Sequence, residues 1–139
     1  MRVMFDINVV LDIVGNRKPF YDDSKAAFLK VVESGEVPFL AVHAYPTIYY
    51  LLGSAATRVQ RDGAMKWVFD SFCVAGAGQH ELDAARNLSM SDFEDALVVS
   101  SALTAGCDLI ITRNAVDFAA SPVKVVSPTE FMHYPLESI

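Results

Sequence analysis

Apolar and polar positions along the chain follow two periods in turn. Short apolar runs of strand type are VMF (Val3–Phe5), VPFLAV (Val37–Val42), FCVAG (Phe72–Gly76), CDLIIT (Cys107–Thr112) and VKVVSP from Val123. Between them lie longer stretches with helical spacing. NVVLDIV reads as a helix start with Asn8 as N-cap, and PFYDDSKAAFLKVVESG as an amphipathic helix with Pro19 near its first turn and Gly35 at its end. Tyr45 to Arg61 reads as one helix, AMKWVFDSF as another, HELDAARNL as a short one, and Asp92 to Ala105 as a long one. Strands separated by helices of this length pair in parallel, because a parallel connection needs a crossover. The unbroken apolar run LIIT requires cover on both faces of its strand. The pattern therefore predicts a three-layer α/β/α fold with a central parallel sheet, built as a single domain over residues 1–139, with no internal repeat or linker.

That architecture decides where the acids go. Open parallel sheets bind ligands outside the carboxyl ends of their strands. Asp6 directly follows the first strand, while Thr112, Asn114 and Asp117 follow the end of LIIT. The helix opening at Asp92 runs antiparallel to the strand after it, so Asp95 in its first turn comes to the same edge. Asp12 lies four residues beyond Asn8 on one helix face. Clustered carboxylates raise one another's pKa and destabilise a fold unless something compensates. A hard divalent cation, Mg²⁺ or Mn²⁺, does so and can activate water against a phosphodiester. Simpler readings stand beside this one. Ser91 and Glu94 fit a capping box, Asp92 suits the helix dipole, Asp6 and Asp117 can be caps, and Asn114 can be a turn residue. Arg113 can pair with a site carboxylate, and Tyr45, Tyr49 and Tyr50 read as core or interface aromatics.

Composition narrows the classes. The chain is 53% hydrophobic, which fits a packed core and not disorder. No apolar run reaches the roughly 18 residues of a membrane span, and no signal-peptide pattern opens the chain. A cytoplasmic protein with no membrane association is expected. Cys73 and Cys107 read as reduced, buried thiols, and the three histidines lack zinc spacing. A Rossmann cofactor enzyme needs a Gly-rich turn where this chain has DINVV. A phospho-acceptor domain of similar architecture would want a lysine in the late segment, where Arg113 stands.

The blocks MFDINVVLDI, DFEDAL, CDLIITRNAVDF and SPTEFM, in this order and spacing, resemble the PIN-domain family, including the toxin nucleases of bacterial toxin–antitoxin pairs. The resemblance covers essentially the whole chain. It implies a Mg²⁺- or Mn²⁺-dependent ribonuclease, a homodimer, and a cognate antitoxin that occludes the site. Carried over, Asp6, Asp95 and Asp117 are the metal-binding acids, with Asn114 and Thr112 completing the catalytic set. One departure stands out. Many members carry a glutamate at the start of the helix after the second strand, whereas this chain has no acid between Glu36 and Asp62, and Thr47 sits near the expected place. Asp12, Glu94 and Thr47 are the candidate supports. The alternative is a PIN-like module that binds RNA or protein and cuts weakly or not at all.

The net charge of −6 means RNA cannot be held by the overall field. Local cations must do it, and Arg17, Lys18, Arg58, Arg61 and, nearest the acids, Arg113 are the candidates.

Overall fold

The computed structural model describes residues 1–53 and 55–136. The elements run β1 (Arg2–Phe5), α1 (Ile7–Val14), α2 (Tyr21–Glu33), β2 (Val37–Ala41), α3 (Ala44–Leu52) and α4 (Arg58–Ser71). They continue with β3 (Cys73–Ala75), α5 (Gln79–Arg86), α6 (Phe93–Thr104), β4 (Leu109–Ile111), a 3-10 turn (Ala115–Phe118), β5 (Lys124–Val126) and α7 (Pro128–Met132). The five strands form one sheet in the order β3-β2-β1-β4-β5, with every neighbouring pair parallel.

Strand alternation builds the three layers. Val3 and Phe5 of β1 face one way, with Leu109 and Ile111 of β4, into a core shared with α1, α2, α3 and α4. Met4 and Ile110, one residue out of phase, face Val98, Val99 and Ala102 of α6 on the other side. Met4 lies in register between Phe39 and Ile110, so β1 is central and buried on both faces. On the first face Phe5, Phe28, Trp67 and Phe72 pack edge-on or tilted, with ring centroids 5.1 Å apart for Phe28–Trp67 and 5.6 Å for Phe5–Phe72. Gly35 and Gly106 end α2 and α6 with φ of 75° and 72°, a conformation that a side chain resists, and this turns the chain back into β2 and β4.

Several boundaries differ from the sequence reading. The helix expected from Tyr45 to Arg61 is two helices. Thr57 starts α4 with a reciprocal cap, its Oγ1 accepting from the Gln60 amide at 3.2 Å and its own amide donating to Gln60 Oε1 at 2.9 Å. This cap outcompetes helical continuation, and α4 absorbs the AMKWVFDSF segment. The N-cap of α1 is Asp6, not Asn8. The cap of α6 is Asp92, which accepts from the Asp95 amide at 3.1 Å and displaces the expected Ser91–Glu94 box. Cys107 is buried, but Cys73 is exposed because β3 is the edge strand; both are free.

Candidate metal centre at the carboxyl edge of the sheet

The chain builds β1, β2 and β3 outward in one direction, then returns to the other side of β1 for β4 and β5. The reversal parts the crossovers above the carboxyl ends of β1 and β4, which is where such sheets bind ligands. A cleft of about 290 Å³ opens there. Its walls are Asp6, Ile7, Asn8 and Leu11 from the start of α1, Thr47 and Leu51 from α3, Asp92, Glu94 and Asp95 from the start of α6, and Asn114 and Asp117 beyond β4. The lining holds five carboxylates and, among the described residues, no lysine or arginine.

Asp6 is the most constrained of the five. It is 3% exposed, and its amide donates to the Ile111 carbonyl at 2.9 Å, tying it to the end of β4. Its Oδ1 accepts from the Ile7 amide at 2.8 Å and its Oδ2 from Thr112 Oγ1 at 2.7 Å. Thr112, itself fully buried, also accepts the Asn114 amide at 3.1 Å. Burial holds the Asp6 carboxyl above its ordinary range, and Glu94 adds to this. The bonds from Thr112 and Ile7, and the charge of Arg113, oppose it without winning.

Asp95 shows the conflict more plainly. It stands in the first turn of α6, where the helix dipole favours an anion by ~0.3–1 kcal/mol, less than one pKa unit. Yet burial first, then Asp6, Asp92, Asp117 and Glu94, push its carboxyl up to about 7 from 3.8. Desolvation and like charge therefore overwhelm the dipole, and among the described residues no basic side chain lines the cleft to offset the acids.

A divalent cation fits this donor set. Carboxylate oxygens, the side-chain amides of Asn8 and Asn114 and the Thr47 hydroxyl are all hard donors. Among the described residues no three acidic, histidine or cysteine side chains are placed close enough together to hold a metal ion by themselves.

The other predicted residues lie elsewhere. Asp12 is fully buried on α1 but outside the cleft lining. Its carboxylate takes Arg113 Nε at 2.7 Å, Arg113 Nη2 at 3.2 Å and Ser24 Oγ at 3.0 Å, with Arg17 Nε at 3.4 Å. Arg113 is thereby turned away from the acids that its backbone adjoins, and its guanidinium lies 3.8 Å from the centre of the Phe20 ring. Arg61 stacks on Tyr49 at 4.3 Å, and Arg58 makes a loose exposed pair with Asp62 at 3.8 Å. Lys18 is exposed. Thr47 does reach the cleft, while its hydroxyl bonds back to the His43 carbonyl at 3.0 Å. Asn8 and Asp92 are cleft residues that the sequence reading did not place among its site candidates, taking Asn8 as a cap and Asp92 chiefly as an acid suited to the helix dipole. Their places, two residues after a strand-end acid and three before Asp95, were the available signal.

Comparison with known proteins bears on the fold and the family. The sequence matches the PIN domain over residues 2–115. The comparison with curated proteins found no match. Among solved structures, VapBC2 from Rickettsia felis, bound to a DNA fragment from its promoter, superposes with a TM-score of 0.70 at 12% identity, covering 91% of this chain and 98% of that one. VapBC-1 from nontypeable Haemophilus influenzae gives 0.69 at 14%, covering 93% and 99%. Mycobacterium tuberculosis VapC20, a sarcin–ricin loop cleaving toxin, gives 0.64 at 11%, covering 88% and 98%. At these identities the structures speak for the fold alone. The family match carries more, because it runs from β1 through the Thr112–Asn114 segment that closes the acidic cleft, and on that ground the chain belongs to the PIN-domain family.

Proposed function

We propose that this protein is a Mg²⁺- or Mn²⁺-dependent ribonuclease and the toxin of a bacterial toxin–antitoxin pair. One observation carries the reading: five carboxylates converge on a cleft with no basic side chain in its lining, and one of them is pushed up to about 7. A fold tolerates that cost most readily where a cation is meant to relieve it. Asp6, Asp95 and Asp117 are the proposed ligands, with Glu94 in support. When bound, the metal lowers the pKa of its water and neutralises charge on the scissile phosphate.

The chain's own residues prepare the site. Thr112 and the Ile7 amide fix both oxygens of Asp6. Asp95 is partly protonated near neutral pH, so a cation held there would bind with release of a proton. Asn8, Asn114 and Thr47 orient water or phosphate oxygens. The similar solved structures include toxin–antitoxin complexes, which supports a cognate antitoxin as partner. Apolar residues as exposed as Tyr50 (84%) and Val59 (82%) support a further protein interface, a homodimer included. No helix among the described residues is long and apolar enough to cross a membrane, in keeping with a cytoplasmic site of action.

Thr47 favours a second reading. It stands on the cleft wall near the place where many family members carry a glutamate, so the metal has one carboxylate fewer on that side. A protein that binds RNA without cutting it is the result if that loss dominates. The test is RNA cleavage by the purified chain with Mn²⁺, with chelator, and with Asp95→Asn. The nuclease reading expects cleavage in the first case alone. Retained RNA binding without cleavage in all three selects the binding module.

A further inference from the structure

The Arg113–Asp12 pair belongs to neither the cleft nor an ordinary surface. Asp12 is fully buried and Arg113 is 20% exposed, and the two lie 101 positions apart in sequence. The contact is two-pronged, Nε at 2.7 Å and Nη2 at 3.2 Å, which fixes the guanidinium in plane as well as in position. Phe20 covers the guanidinium face at 3.8 Å, and Ser24 from α2 takes part of the Asp12 carboxylate at 3.0 Å. Four segments thus meet at one carboxylate: α1, the connection after it, α2, and the strand-to-turn segment after β4.

The neighbours of Arg113 in the chain give the pair its significance. Thr112 and Asn114 flank it. Thr112 donates to Asp6, Asn114 donates its amide to Thr112, and the Asn114 carbonyl accepts from the Asp117 amide at 2.9 Å. Two parallel ties therefore join α1 to this segment. Asp6 holds Thr112 on the cleft side, and Asp12 holds Arg113 on the opposite side. With only the first tie the segment could pivot about Thr112. With both, its direction is set, and so are the places of Asn114 and Asp117.

We propose that Arg113 and Asp12 are positioning residues that aim the Thr112–Asp117 segment at the cation site, and that Arg113 is not a phosphate-binding cation. The cation part rests on the metal-dependent reading above; the aiming of the segment does not. Residues that orient metal ligands from behind cost about 10–100-fold in metal affinity when changed. A purely structural ion pair would cost stability alone.

The experiment pairs two variants with two readouts on the full chain. Arg113→Lys keeps the charge but loses the two-pronged geometry. The double variant Asp12→Leu, Arg113→Met replaces the buried pair by apolar groups, an exchange that often leaves stability unharmed. The readouts are Mn²⁺ affinity by calorimetry and hydrogen exchange at the Asn114 amide in metal-free protein, with the α6 amides as internal reference. Both folded variants are expected to exchange Asn114 at least about tenfold faster than wild type and to bind Mn²⁺ about tenfold or more weakly. Unchanged exchange at Asn114 in either folded variant overturns the proposal. So does a double variant that regains stability and full Mn²⁺ affinity together. A wild-type protein that binds no Mn²⁺, with Asn114 still released in the variants, removes the metal reading and leaves the aiming role standing.

Discussion

The two ends of α1 carry the same chemical group in opposite circumstances. Asp6 caps the helix and Asp12 lies near its other end, about 9 Å further along the axis. Both are buried. Asp12 is met by two guanidinium groups and a hydroxyl. Asp6 is met by a hydroxyl and an amide, and faces Asp95 and three further acids across an open cleft. The first is a carboxylate whose counter-charge is supplied by the sequence. The second is one whose cleft, among the described residues, has no basic side chain in its lining. Burial alone does not separate a structural acid from a functional one; the source of its compensation does.

Substitutions that erase charge at each end press hardest on that contrast. Asp6→Asn and Asp95→Asn are expected to abolish metal-dependent RNA cleavage while leaving the melting temperature of the metal-free protein unchanged or raised, since they relieve repulsion. A clear loss of metal-free stability with cleavage intact would make the two ends equivalent. Asp12→Ala is expected to do the reverse to the fold. Removing one partner of a buried pair costs ~3–5 kcal/mol, and urea unfolding reads it directly.

The pH dependence sharpens the comparison further. Folded Asp95 takes its proton at about 7 where an ordinary aspartate does so at 3.8. Between those values the folded state holds more protons than the unfolded one, so this group lowers stability as pH rises. The stability of Asp95→Asn relative to wild type should therefore grow from about pH 4 to about pH 8. Millimolar Mn²⁺ should close the gap by stabilising wild type. A gap that is flat with pH would show Asp95 to be uncompressed by its neighbours.

Thr112→Val is a smaller perturbation. It removes the bond to Asp6 at 2.7 Å, and a hydrogen bond to a charged group is worth ~1.5–3 kcal/mol. Metal affinity should fall with it, and calorimetry would show this. Smallest is the effect of the exposed cations. Lys18→Ala with Arg58→Ala should weaken RNA binding similarly across sequences and reduce the log–log salt slope by about one to two. An unchanged slope would mark both as ordinary surface charges.

Much of this was legible beforehand, for identifiable reasons. Strand-period runs and long helical stretches dictate a parallel sheet, and a parallel sheet dictates the edge on which Asp6, Asp95, Asn114 and Asp117 meet. Local competition was harder to read. Nothing in the periodicity of Tyr45–Arg61 says that Thr57 and Gln60 will cap each other and divide the helix. The choice of Asp92 over Ser91 as cap is a one-residue matter of backbone dihedrals. Arg113 was placed by its backbone neighbours at the cleft; Asn114 lines the cleft and Thr112 lies buried beside it, while the side chain between them turns to Asp12. Successive residues leaving a strand point to opposite sides. The partner that draws Arg113 away lies 101 positions upstream, on a helix whose rotation the sequence does not specify.

The strand order has a further consequence in time. β1 is made first yet sits at the centre of the sheet, and β4 completes its second edge only when Leu109–Ile111 have been synthesised. A nascent chain that stops short of this point contains Asp6 and Asp95 but has no Thr112 to orient Asp6 and no Asn114 or Asp117 to close the cleft. Folding that proceeds from the N-terminus during synthesis cannot finish the site early, because its last pieces are long-range in sequence. For a chain proposed to attack RNA, the topology itself works as a timer: the cleft cannot close until β4 and the segment after it have been made.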